Sequence, residues 1–339
     1  ALPVIGLAVL YKTWKIGNTW FEFTEWRLFV FICGIPSLIC ALIMMRMPES
    51  PRFLLLQGKH QKAKDVLVRM YVSNTKEHPD SYPVKVLEES QEAKYYFFHQ
   101  SDLDSKWKIF KHRITGILRQ HKQLFCKGYL KKILVTCYID FGLMFSYFTI
   151  MLWIPELMDR QKHYQDFHPN AKATLCEVSS KLAGPVDIPH KIDLWVFFET
   201  IIICLSCLPS TIMLLFMLHY VSKKVILVVI LFIAGSAALA LYFVNTVVKV
   251  VVTCCVFEAF TTLVEAVLFC VIVEIFPTNT RGTALSLTVT IGRFGAVLGN
   301  IIFGLLVDKL CVIPFGMFTF FLMSSGLIAL FLPKTRVGH

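Results

Sequence analysis

Five ionisable side chains, Asp140, Glu199, Glu258, Glu265 and Arg293, stand inside long apolar runs of a 339-residue chain. An ionised group in hydrocarbon costs on the order of several kcal/mol, so each needs a partner, a water-filled cavity or a proton. Glu258 and Glu265 are seven positions apart, which puts them on one face of a helix about 10 Å apart along its axis. Thr261 and Thr262 lie between them and extend a polar face. Arg293 falls roughly 15 Å into its run, close to the midplane where solute sites of polytopic proteins sit. A Glu265 to Arg293 ion pair would let both keep their charge. Asp140 lies about 11 Å from one end of its helix and Glu199 is nearer the opposite surface, so either could face a water-filled vestibule. Glu258, Glu265 and Arg293, with Tyr147, Asp140 and Glu199 beside them, could line a cavity for a polar or cationic solute or for a proton. The same residues could instead be a buried pair locking two helices, with the remaining acids neutral.

The elements that must hold them are membrane helices. The chain is 56% hydrophobic with 29 Phe and 17% charged residues, and its mean hydropathy is +0.62, too apolar for a soluble domain. The net charge of +11 would suit nucleic acid, but its placement argues for topology. From Pro48 to Lys132 there are 17 Lys and Arg against 9 Asp and Glu, the mark of a cytosolic segment. Among eleven Cys, all but Cys126 and Cys176 fall in apolar runs or at their ends, where Cys serves as a small packing residue. Cys176 stands alone in its loop, so no disulfide is expected there. Cys204-Leu-Ser-Cys207 has redox spacing but sits in an apolar run without a second pair or a His, and no metal, nucleotide or nucleophile pattern accompanies it.

In chain order, Ala1 to Lys12 reads as the back half of a helix, Thr13 to Trp26 as a short loop at an aromatic belt, and Arg27 to Met47 as a span bent at Gly34 and Pro36. Two prolines, Pro48 and Pro51, then stop the helix. Phe53 to Met70 has the spacing of an amphipathic interfacial helix, Glu77-His78-Pro79-Asp80 of a turn, and the basic stretch Trp107 to Lys132 of a second interfacial helix. Further spans are expected at Ile133 to Ile154, closed by Pro155, and at about 194–218, 225–245, 250–275, 283–307 and 311–332. The segment Glu156 to Asp193 has six acidic and five basic residues and lacks the cytosolic excess, so it is read as lumenal or extracellular. Gly292, Gly295, Gly299 and Gly304 give the penultimate span a face of small residues that suits close helix contact.

Two constellations mark the cytosolic face: Pro48-Glu49-Ser50-Pro51-Arg52 after one span, and Glu274-Ile275-Phe276-Pro277-Thr278-Asn279-Thr280-Arg281-Gly282 between two others. In the second, Glu274 and Arg281 bracket a tight loop, and Gly282 lets the chain turn into the next helix. Both resemble loop signatures of the sugar-porter-like branch of the major facilitator superfamily. Tyr138 to Pro155, Trp26-Arg27-Leu28-Phe29-Val30 and Gly295-Ala296-Val297-Leu298-Gly299 are also similar to the synaptic vesicle glycoprotein 2 group. The chain departs from that pattern at Lys334, where the family has Glu, in the short loop His219 to Lys224, and in the reduced segment after the first span of the second half.

The resemblance implies an all-α polytopic membrane protein of major facilitator fold. It would comprise the last one and a half helices of an N-terminal bundle (1–47), a basic cytosolic loop with amphipathic helices (48–132), a C-terminal six-helix bundle (133–332) and a cytosolic tail (333–339). About four and a half spans would then precede the sequence, supplying the missing N-terminal bundle. The implied activity is secondary transport of a small organic solute, an organic cation or a sugar, by alternating access across the lipid bilayer, with a coupling proton as a further partner. No cofactor, metal, nucleic acid or enzymatic step is implied. By position, Glu49, Arg52, Glu274 and Arg281 would form a cytosolic gate network. A rival expectation is a non-transporting vesicle or membrane regulator that keeps the fold.

Overall fold

The computed structural model describes residues 2–10, 15–18, 21–56, 59–84, 124–125, 128–168, 173–181 and 194–333. Two compact units are distinguished, Arg27–Arg119 in one and Ala1–Trp26 with Gln120–His339 in the other. The core of the basic stretch Trp107 to Lys132, Cys126 and the tail beyond Pro333 lie outside the described residues.

The chain begins with helix α1, Leu2–Leu10, and a strand pair, β1 Lys15–Asn18 and β2 Phe21–Thr24. The strands are antiparallel, with Lys15 opposite Thr24 and Asn18 opposite Phe21. The loop expected between Thr13 and Trp26 is therefore a hairpin, stabilised by a ladder that the Trp spacing did not reveal. Helix α2, Glu25–Arg46, follows with Pro36 inside it. Pro48 ends the span as expected, but Pro51 opens a new helix, α3 Pro51–Leu56, at the first helical position where a missing N–H costs nothing. The single amphipathic helix read over Phe53 to Met70 is thus two, with α4, His60–Thr75, ending at Lys76 in the left-handed region (φ 60°), whose amide donates to the Val72 carbonyl. A 3-10 turn at Pro79–Ser81 takes the place of the expected turn.

In the larger unit the helices are α5 Leu130–Phe167, α6 Leu175–Lys181, α7 Leu194–Leu205, α8 Cys207–Tyr220, α9 Lys223–Phe243, α10 Val247–Ile275, α11 Thr278–Leu306 and α12 Val312–Ala329. Among the described residues seven helical stretches are long and apolar enough to cross a membrane: α2, α5, α7 with α8, α9, α10, α11 and α12. The chain is an all-α, multi-pass membrane protein. One expected span is divided. Pro209 has no N–H for the Leu205 carbonyl, so the helix breaks at Ser206, whose hydroxyl donates to the Ile203 carbonyl at 2.6 Å and to the Cys255 carbonyl at 3.1 Å.

Helix α5 organises this unit, packing on α7, α10, α11 and α12. It does not stop at Pro155 as expected. Its 38 residues reach about 57 Å, beyond a hydrocarbon core of roughly 30 Å, and one lost hydrogen bond at Pro155 is tolerated. The protruding end is tied down by Arg160, which reaches Glu156 and Asp308 at 2.8 Å each, and by Gln161, which donates to the Ala173 carbonyl at 3.0 Å.

A disulfide joins Cys176 in α6 to Cys311 at the start of α12, 135 residues apart, with their Cα atoms at 5.4 Å. This corrects the expectation that Cys176 is unpaired, because its partner comes from another hairpin.

The core is aromatic. Phe145 of α5, Phe303 of α11 and Phe315 and Phe318 of α12 are buried, with Phe318 5.8 Å from Phe145 and 5.9 Å from Phe303 between ring centroids. Against it lies the glycine face of α11, where a Cβ at Gly295 would come within 2.7 Å of the Phe141 carbonyl oxygen and one at Gly299 within 2.5 Å of that of Phe145. The small residues allow α5 and α11 to approach backbone to backbone.

Candidate functional site

Helices α5, α10 and α11 bring five of the expected residues into one electrostatic group. Tyr147 of α5 donates its hydroxyl to Glu258 Oε1 of α10 at 3.2 Å. Glu258 is 6% exposed, and its Oε2 is buried without a hydrogen-bond partner. Asp140 is fully buried, and neither carboxyl oxygen has a partner. It is sealed in the α5–α11 contact opposite Gly292, so the vestibule reading is corrected: the chain that would have lined a vestibule is instead in backbone contact.

Arg293 stands at the midpoint of α11 by its bounds and is exposed. The expected Glu265 to Arg293 ion pair is not formed within 4.0 Å. The guanidinium lies instead over the Phe148 ring, 4.8 Å from its centroid. It is near enough to act electrostatically on both Asp140 and Glu265 without touching either. Glu265 is half-buried. The polar face expected between the two glutamates is weaker than its sequence suggested, because Thr261 and Thr262 donate back to the carbonyls of Phe257 and Glu258 at 2.7 and 2.8 Å. Glu199 stands apart on α7, within electrostatic reach of Lys162.

Tyr147 and Phe148 complete the arrangement. Both are half-buried although Ser146 and Thr149 on either side of them are buried, and their rings meet edge to face at 5.1 Å. An acid, two rings and a guanidinium thus follow one another along one strip. Sequence reasoning found the ionisable groups but not the role of Phe148; the signal for it was an aromatic pair inside a span that also carries Asp140. Among the described residues no group of His, Cys, Asp and Glu could hold a metal ion.

Where α9 begins and α10 ends, Glu274 pairs with Lys223 at 3.0 Å, each side chain about a quarter exposed. Lys224 donates to the Leu330 and Leu332 carbonyls at 2.6 Å and closes the end of α12. Arg281 lies inside α11, which starts at Thr278, so the loop is shorter than expected and Gly282 is helical rather than a turn. The Arg281 Nε is buried without a hydrogen-bond partner. Glu49 is exposed between α2 and α3, and Arg52 belongs to α3; both are in the other unit.

A family model described as sugar (and other) transporter matches residues 4–166. Synaptic vesicle glycoprotein 2B of Homo sapiens is 23% identical over 411 residues, covering 94% of this chain and 60% of that protein. Synaptic vesicle glycoprotein 2C of Rattus norvegicus is 22% identical over 409 residues, covering 93% and 56%, and synaptic vesicle glycoprotein 2A of Rattus norvegicus is 28% identical over 145 residues, covering 41% and 20%. The chain spans about 60% of the length of the first of these relatives. The 411-residue alignment is longer than the 339-residue chain, so that relative carries segments this chain lacks. The resemblance read from the motifs is borne out at low identity, and the fold is all-α and polytopic.

Proposed function

We propose that this chain works in a secondary active transporter of a small organic solute, by alternating access, in a vesicle or plasma membrane. The observation that supports it is the strip at the middle of α5, α10 and α11, where Glu258 keeps an unpartnered oxygen and Arg293, over the Phe148 ring, has no carboxylate partner among the described residues. Charged groups left unmatched in mid-span mark a solute or ion path rather than a static lock, because a lock would have paired them. The family model matched over residues 4–166, described as sugar (and other) transporter, agrees with this reading. Organic cations and sugars are the substrate classes to try first, with Glu265 or Asp140 carrying a coupling proton. At the cytosolic face the Lys223 to Glu274 pair, with Arg281, serves as the gate.

The test is uptake by the intact protein in reconstituted vesicles, with and without a pH gradient, over a panel of sugars and organic cations, beside Glu265→Gln. Gradient-driven uptake lost in the variant establishes coupled transport. No uptake of any solute by well-folded protein overturns transport in favour of a membrane regulator.

A further inference from the structure

The strip has a polarity that the transporter reading does not use. It starts at Glu258 Oε2, buried and unpartnered, passes the Tyr147 ring, whose hydroxyl holds Oε1 at 3.2 Å, and crosses to Phe148 at 5.1 Å between centroids. It ends at Arg293, 4.8 Å over that second ring. One end is negative, the other positive, and the wall between them is aromatic.

Resting on the transporter reading, we propose that the solute is a zwitterion, with an ammonium group at the Glu258 end and a carboxylate at the Arg293 end. A buried carboxylate oxygen without a donor is costly, and an ammonium supplies three donors. The face of a Tyr or Phe ring attracts the same cation. The guanidinium presents a planar fork that suits a carboxylate bidentately. Stacked on Phe148, its ring-facing side is occupied while its edges, which carry the N–H groups, have no hydrogen-bond partner among the described residues. Neither Asp140 nor Glu265 comes within 4.0 Å of it, and both Asp140 oxygens are without a hydrogen-bond partner, so these acids do not occupy those edges.

The singly charged alternatives match the strip at one end only. A simple amine satisfies Glu258 but leaves Arg293 unmatched and meets its repulsion. A simple acid does the reverse. A sugar can donate to Glu258 and accept from Arg293, but gains nothing from their opposite charges.

The experiment measures uptake and equilibrium binding by the intact protein in proteoliposomes. The probes are ω-amino acids from glycine to 6-aminohexanoate, the amines and carboxylic acids of matching chain length, and glucose. One amino acid length is expected to bind at least tenfold better than its matched amine or acid. Arg293→Gln should remove that advantage and bring the zwitterion down to the level of the amine, while Glu258→Gln should bring it down to the level of the acid. Arg293→Lys, which keeps the charge but not the fork, should recover part of the preference and shows that loss in Arg293→Gln is not misfolding. Uptake of amines or glucose without any zwitterion preference overturns this inference and leaves transport standing. Zwitterion binding without uptake supports the site and overturns transport. Failure of every probe to bind or cross overturns both.

Discussion

Gly292 of α11 faces Asp140 of α5 so closely that a Cβ added to the glycine would collide with Asp140 Oδ2 and lie 2.8 Å from its Cγ. The glycine is there because the acid is. Gly292→Ala should therefore lower the thermal midpoint of the detergent-solubilised protein, by about 1–3 kcal/mol of stability as for other overpacked sites. Combining it with Asp140→Ala should recover most of that loss, since the two changes share one contact. Gly316→Ala is the control, because nothing lies within 4 Å of its Cβ position, and it should leave the midpoint unchanged or slightly raised. Equal losses at both glycines would mean that α11 does not pack on α5 through this face.

The Cys176 to Cys311 disulfide closes a loop of 135 residues. Loss of a natural disulfide typically costs about 2–5 kcal/mol. Cys176→Ser or Cys311→Ser should thus lower thermal stability, and the double variant should be no worse than either single one. Sidedness gives a second reading. A membrane-impermeant thiol reagent applied to sealed cells or vesicles should label these two cysteines only after reduction, and only from the face opposite the basic loop. Labelling from the cytosolic face would invert the topology.

Lys223 and Glu274 are each about a quarter exposed, so solvent screens their 3.0 Å contact, and its direct contribution to stability should be under about 1 kcal/mol. Its proposed work is on the balance between open and closed cytosolic states. Glu274→Gln should leave thermal stability nearly unchanged and reduce uptake at least tenfold. Exchanging the two residues, Lys223→Glu with Glu274→Lys, should restore part of the uptake. A variant with full activity would remove this pair from the gate.

What the sequence revealed of this molecule divides along one physical line. Span positions follow from runs of apolar residues, a local property, and α2, α9, α10, α11 and α12 fall within a few residues of their expected limits. The failures are those that depend on a partner distant in the chain. Cys176 looked solitary because Cys311 is 135 residues away. Glu265 and Arg293 looked like a pair because their charges are opposite, yet the nearer surface for the guanidinium is the Phe148 ring. Pro155 looked like a helix stop, but Arg160 and Gln161 beyond it are held by Asp308 and Ala173, contacts that keep α5 helical to Phe167. Within the site, ionisable groups in apolar runs were legible because each is anomalous by itself. The strip that joins them was not, because it exists only when α5 lies against α10 and α11.

Asp140 and Glu265 are the two acids that could carry a coupling proton, and their surroundings separate them. Asp140 is fully buried against Gly292 with no hydrogen-bond partner on either oxygen, whereas Glu265 is half-buried and feels Arg293. Asp140→Asn preserves shape, so a purely structural acid would tolerate it with unchanged transport. If Asp140 carries the proton, the variant should lose at least tenfold in gradient-driven uptake and keep exchange of labelled for unlabelled solute, since exchange needs no net proton movement. Glu265→Gln makes the converse test. It removes the charge that shares Arg293 with the solute, so a coupling role would again spare exchange, while a role in solute binding would weaken exchange and driven uptake together. The measurement is driven uptake and counterflow for both variants in the same vesicles. Loss of driven uptake alone in one variant assigns the proton to that residue, and loss in neither removes proton coupling from these two acids.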